Sequence, residues 1–139
     1  MRYFFILLFL IFVVSIPEAK CASRYEQGIS VFKSLDGTVI KVSIDDLFEG
    51  ECLSEEGKRI LLSIKDRIDD NKVIVECFTN RRLNYNASWE LADIYAYKAV
   101  VFLIRCCGIN PQKITYVGYG DMSRFDEEPN RLEFNITGE

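Results

Sequence analysis

The sequence has no histidine among its 139 residues. That excludes histidine-based catalytic triads, histidine-ligated zinc and imidazole acid–base chemistry. It has no Cys-x-x-Cys pair, so neither a dithiol redox centre nor a zinc ribbon is supported, and no metal or cofactor is expected. It has no basic stripe: 17 Lys and Arg stand against 21 Asp and Glu, a net charge of −4. Displacing counterions from a phosphate backbone needs clustered positive charge, so nucleic acid is not an expected partner. No internal repeat or low-complexity segment is present. Nor does any apolar run reach the ~20 residues that span a bilayer as a helix.

The longest apolar run is residues 3–16, behind Met1-Arg2 and ahead of Pro17, Glu18 and Lys20. A short positive start, an apolar core of this length and a helix breaker together predict a secretory signal over 1–21. The alternative is a short uncleaved anchor. A buried core helix is disfavoured because the run has no polar face. Cys21 is a candidate lipid acceptor, although Glu18 and Lys20 occupy positions where a lipoprotein signal prefers an aliphatic and a small residue. Five cysteines, Cys21, Cys52, Cys77, Cys106 and Cys107, leave one over in an exported chain. Using Cys21 for lipid would leave four, and disulfides among them are open in an oxidising compartment. The simpler reading makes Cys77 and one of Cys106 and Cys107 small buried hydrophobes.

What remains fits one compact domain that can bury a core without staples. Residues 22–35 read as a linker. Asp36-Gly37 is a turn, and the β-branched stretch 38–44 is a strand, followed by a loop at 47–50. Ser54 caps a helix whose Glu55 and Glu56 suit the positive end of the helix dipole. Ile60, Leu61, Ile64 and Ile68 give that helix an apolar face. A second strand covers 72–78, and 79–86 is polar and turn-rich. Asn86 or Ser88 starts a long helix to Cys107, with Ala92, Ala96, Ala99 and Leu103 on one face. Gly108 and Pro111 end it. A third strand covers 113–117, 121–130 is a charged loop, and 131–137 is a last strand. The order β-α-β-α-β-β predicts an α/β sandwich with both helices on one face of a mixed sheet.

Several local motifs fall in this order. They are Asp36-Gly37-Thr38-Val39-Ile40 with Leu47-Phe48 and Gly50, then Leu53-Ser54-Glu55-Glu56-Gly57-Lys58, then Val75-Glu76-Cys77-Phe78-Thr79-Asn80. Next come Trp89-Glu90-Leu91, Tyr95-Ala96, Phe102-Leu103, Ile114-Thr115-Tyr116-Val117-Gly118-Tyr119-Gly120 and Asn130-Arg131-Leu132-Glu133-Phe134. Over 36–139 the chain resembles the OmpA-like C-terminal domain of outer-membrane porin tails, peptidoglycan-associated lipoproteins and the flagellar stator protein MotB.

The resemblance implies non-covalent binding of the diaminopimelate-containing peptide stem of peptidoglycan. In the family, the Asp of "T-D" and the Arg of "R-A" take the ligand's ammonium and carboxylate. Charge-assisted and bidentate bonds make those residue types effective there. This chain departs from the pattern. Asn80 stands for the Asp, Tyr95 for the Arg, Phe78 for a His, and one Arg of the terminal "N-R-R" is missing. Asn80 keeps an acceptor without the charge, and Tyr95 keeps one donor without the fork. Arg81 and Arg82 are candidates to replace the lost cation, against the plainer reading of solvated loop arginines. Thr79 either belongs to the binding loop or satisfies backbone groups at a strand end. Arg131 either holds a carboxylate or pairs with Glu133, Asp126 or Glu127. Trp89 is expected to pack beside the long helix rather than stack on sugar.

The resulting expectation is a non-enzymatic envelope protein in the periplasm or at the outer membrane of a Gram-negative cell. It would hold the outer membrane or an envelope machine to peptidoglycan, with a membrane contact through the N-terminus if that segment is lipidated or uncleaved. The alternative is a structural subunit of a multi-protein envelope complex, such as a type IVB secretion core complex, that no longer binds the wall. No catalytic residue is assigned. Glu76, Glu90 and Asp93 are carboxylates whose spacing does not place two of them across a cleft.

Overall fold

The computed structural model describes residues 28–68, 70–81, 85–122 and 128–137. Strands β1 (Ile29–Ser34) and β2 (Gly37–Ser43) form a hairpin, and one helical turn, α1 (Ile44–Leu47), follows. A small ribbon, β3 (Phe48–Glu49) and β4 (Cys52–Leu53), leads into α2 (Glu55–Ile68). Then come β5 (Lys72–Phe78), α3 (Tyr85–Cys107), a 3-10 turn (Pro111–Lys113), β6 (Ile114–Gly120) and β7 (Arg131–Thr137). The main sheet has the order β1-β2-β7-β5-β6. Every neighbouring pair is antiparallel except β5 and β6, which are parallel and joined through α3. A parallel pair needs such a crossover because a tight turn cannot return the chain to the same end.

Cross-strand register separates the two faces of the sheet. Val42, Leu132 and Cys77 form one row, and Ile40, Phe134 and Val75 the next. These side chains are buried in a core shared with Leu61, Ile64 and Ile68 of α2 and Ala92, Ala96, Ala99 and Leu103 of α3. The alternate rows point away from the helices: Lys41 with Glu133 and Glu76, and Ser43 with Arg131 and Phe78. The expected sandwich of helices on one sheet face is therefore present.

Helix boundaries follow from local chemistry. Ser54 caps α2 as expected: Gly57 N–H donates to its Oγ at 2.9 Å, while that hydroxyl donates to the Leu47 carbonyl at 3.2 Å. Gly57 is needed there, since a Cβ would lie 2.0 Å from the Leu47 carbonyl oxygen. Gly118 has the same function against α3, where a Cβ would meet the Asp93 nitrogen at 2.4 Å. The small residues of α3 let that helix lie directly on β6.

Three expectations change. Residues 29–34, read as linker, form the edge strand β1. The stretch 47–50, read as loop, contains the end of α1 and the ribbon strand β3. The long helix starts at Tyr85, so Asn86 and Ser88 lie in its first turn rather than before it. The thiols match the simpler reading: Cys77 and Cys107 are buried, Cys52 and Cys106 are exposed, and all four are free. Burial pushes the Cys77 thiol far above its ordinary range. The signal region, Cys21 and Arg82 lie outside the described residues, as do Asp126 and Glu127.

Candidate functional site

The end of β5, the entry to β7, α1 and the first turns of α3 meet at one corner of the sandwich. Thr79 N–H donates to the Gly120 carbonyl at 2.8 Å, which fastens the chain leaving β5 to the end of β6. The buried Thr79 hydroxyl donates to Asn130 Oδ1 at 2.8 Å, and Asn80 N–H donates to the same oxygen at 3.2 Å. Asn130 Nδ2 returns a bond to Asn80 Oδ1 at 3.1 Å. The Asn130 carbonyl accepts from Ile44 N–H at 3.0 Å, so one residue ties together β5, β7 and α1.

Tyr95 projects from α3 into this corner and is only 2% exposed. Its ring lies 4.6 Å from that of Phe48. Its hydroxyl donates to the Gly50 carbonyl at 3.1 Å, which leaves the oxygen free to accept. Arg81 Nη1 donates to that oxygen at 3.3 Å, and the guanidinium carbon stands 5.9 Å from the ring centre. Arg81 Nη2 also forms an ion pair with Asp45 of α1. Arg81 N–H completes the loop by donating to Thr79 Oγ1 at 3.3 Å. The corner thus carries a guanidinium held from behind by a buried phenol.

Asp45 also lines a cavity of about 420 Å³ with Asp46, Glu49, Leu53, Ser54, Glu55 and Glu56. Burial, and then the neighbouring carboxylates of Asp45 and Glu56, push the Asp46 carboxyl above its ordinary 3.8. Glu55 and Glu56 pair with Lys58 and Arg59 at 2.9 and 3.2 Å, so the excess negative charge of the cavity comes from Asp45, Asp46 and Glu49, beside the Arg81 guanidinium.

No protein-family model and no curated protein sequence matches the chain. Solved structures do. The periplasmic domain of Helicobacter pylori MotB (residues 90–256) is 21% identical, with a TM-score of 0.68 over 83% of this chain and 82% of that one. The cell wall anchor of the type VI secretion system from Pseudomonas aeruginosa is 19% identical, with a TM-score of 0.66 over 86% and 94%. The OmpA-like domain of FopA1 from Francisella tularensis is 14% identical, with a TM-score of 0.58 over 76% and 77%. The fold is OmpA-like.

Within this OmpA-like domain, the expected site residues divide into two groups. Thr79, Asn80, Arg81 and Tyr95 are brought together. Tyr95 does not offer its donor to the surface, because the Gly50 carbonyl takes it. Thr79 is fully buried and holds the strand end together through Asn130. Arg131 is separate. It is 3% exposed on the sheet face away from the helices, with its guanidinium carbon 4.1 Å from the Phe78 ring centre. Among the described residues, Arg131 pairs with the expected Glu133, at 2.7 Å from Nε, and Nη1 donates to the Glu128 carbonyl at 2.6 Å. Lys41 approaches the same Glu133 oxygen at 3.4 Å. Trp89 packs by its backbone near Gly120, but half of the residue is exposed rather than covered.

Two residues of the corner were not singled out from sequence. Asn130 carried a signal, since it opens the "N-R" motif, but the motif does not reveal that its amide bridges two loops. Asp45 carried none. Its contact with Arg81 spans 36 positions and belongs to no local pattern. Among the described residues, no cluster of Cys, Asp and Glu could hold a metal ion, and no helix is long and apolar enough to cross a membrane.

Proposed function

We propose that the chain is a cell-envelope protein whose OmpA-like domain binds the diaminopimelate-containing peptide stem of peptidoglycan. In this reading it is exported through its N-terminal segment to the periplasm or outer membrane. There it holds the membrane or an envelope machine to the wall and catalyses nothing. The observation that carries the proposal is the placement of Arg81. Its guanidinium rests against the Tyr95 hydroxyl, beside the position where the family resemblance expects an arginine. A guanidinium presents paired N–H donors to a carboxylate, which a phenol cannot do. The named functions of similar structures, a MotB periplasmic domain and a cell wall anchor, support the same direction. Sedimentation of the purified protein with peptidoglycan sacculi tests it. Retention at low salt is expected, and free protein in the supernatant at every sacculus concentration refutes it.

A second reading has its own supporting observation. The amides of Asn80 and Asn130 are bonded to each other, and neither carries charge. A domain with that arrangement can serve as a structural subunit of an envelope assembly, such as a type IVB secretion core complex, without gripping the wall. In-cell crosslinking that traps a stable protein complex, combined with no sacculus retention, favours this reading.

A further inference from the structure

The acid missing at Asn80 has a counterpart on a different element. Asp45 of α1 pairs with Arg81, and the two side chains are 76% and 28% exposed. We propose that Asp45 and Arg81 together form a relocated receptor for a free amino-acid headgroup, in which Asp45 takes the ligand's ammonium and Arg81 its carboxylate. This rests on the peptidoglycan-binding reading above and deepens it by naming the charged groups.

Three features of the corner support the assignment. First, the pair is accessible, and exposed ion pairs hold together weakly, so a zwitterion can exchange one protein pair for two protein–ligand pairs. Second, the guanidinium does not depend on Asp45 for its position. Tyr95 donates its own proton to the Gly50 carbonyl and accepts from Arg81, so the cation stays in place when Asp45 turns to the ligand. Third, the potential is directional. Glu55 and Glu56 of the cavity are paired with Lys58 and Arg59, but Asp46 and Glu49 line it beside Asp45 and add negative potential, which draws an ammonium to that side and turns the headgroup's anionic end toward Arg81. Asn80 is the weaker ammonium acceptor in this arrangement, because its amide oxygen carries no charge and already accepts one bond from Asn130. The ligand class follows: a carbon bearing both a free amine and a free carboxylate, as at the uncrosslinked end of diaminopimelate.

The test uses the full-length protein, intact sacculi, free meso-diaminopimelate and its N,N′-diacetyl derivative, in which neither end keeps a free amine. Wild type is expected to be retained by sacculi and released by meso-diaminopimelate, with the acetylated compound about tenfold weaker because a charge-assisted bond is lost. Asp45→Asn is expected to weaken retention about tenfold and to erase the difference between the two competitors, and Asp45→Glu to restore both. Arg81→Gln is expected to weaken retention without erasing that difference. Unchanged thermal unfolding of Asp45→Asn separates these effects from misfolding. If sacculi retain wild type and Asp45→Asn equally, or if the variant still discriminates the competitors, the receptor assignment is overturned while wall binding stands. If wild type is not retained at all, both proposals fail.

Discussion

Replacing Tyr95 with phenylalanine removes one oxygen and leaves the ring. The ring keeps its place beside Phe48, so core packing is preserved. Two hydrogen bonds disappear: the donation to the Gly50 carbonyl and the acceptance from Arg81 Nη1. Gly50 is exposed, so its carbonyl regains water. Arg81 keeps Asp45 and contact with solvent. Neither partner is stranded, so the loss is the net worth of two bonds at about 1 kcal/mol each, or about 1–2 kcal/mol together. For a domain of this size that lowers Tm by about 5–10 °C. Urea unfolding of wild type and variant measures it. The decisive experiment adds Arg81→Gln and the double variant. A coupling of about 0.5–1 kcal/mol is expected if the guanidinium and the phenol are bonded in solution. Strict additivity, or a Tyr95→Phe loss below the ~0.5 kcal/mol of ordinary surface changes, refutes the argument. It would also remove the positioning of Arg81 on which the proposed function depends.

Gly118→Ala places a methyl group 2.4 Å from the Asp93 nitrogen, so α3 has to move off β6. A destabilisation of about 1–3 kcal/mol by chemical denaturation is expected from such overpacking. Burial, and then the nearby Glu133, raise the Glu76 carboxyl above its ordinary 4.5. The folded state then binds more protons than the unfolded one just above that pH, so this group's contribution to stability falls as pH rises from 4.5 through the folded value. Glu76→Gln is expected to be more stable than wild type at pH 7 and to show a flatter stability profile over that window; an unchanged profile refutes the linkage. Thiol labelling of the native protein is expected to modify Cys52 and Cys106 rapidly and to reach Cys77 and Cys107 only in denaturant, as read by mass spectrometry of tryptic peptides.

The sequence-legible parts of this fold are those where burial has a period. The apolar positions of α2 and the alanine face of α3 repeat at helical spacing, and each packs into the shared core. β5 buries Val73, Val75 and Cys77 at alternate positions, but the outward Ile74 is apolar too, so the strand was legible from its β-branched run rather than from an alternation of residue types. β1 is different. Five of its six residues are exposed, so no buried face writes an alternation into the sequence, and the strand looked like linker. The ribbon of β3 and β4 has two residues per strand, too short for any period. At the site, the neighbours of Asn80 were legible because they lie beside it in the chain. The partners Asn130 and Asp45 come from distant segments, and only the folded sheet brings them to the same corner. Arg131 shows a third case. Its motif and charge suggested several partners, and strand register alone sends it to the far face of the sheet, against Glu133.

Burial limits which residue types position 95 can hold. Position 95 is almost fully buried, against Phe48 of β3. A guanidinium there needs a close anionic partner, because an unpaired buried charge is strongly unfavourable. With Asn80 neutral, the adjacent loop offers no such partner. Tyrosine resolves the conflict: its ring joins the core, and its hydroxyl satisfies a backbone carbonyl at the rim. The cation then sits one shell outward at Arg81, where water and Asp45 share the task of solvating it. The motif resemblance expects an acid at 80 and a cation at 95; a buried tyrosine at 95 and a neutral residue at 80 are compatible with each other where a lone cation at 95 is not. That compatibility can be tested by introducing the charges. Tyr95→Arg alone buries a charge beside the Arg81 guanidinium, and is expected to destabilise the domain by about 3 kcal/mol. The double variant Asn80→Asp with Tyr95→Arg supplies the missing partner and is expected to recover most of that loss in urea unfolding. If the single variant is as stable as wild type, burial does not disfavour a cation at position 95.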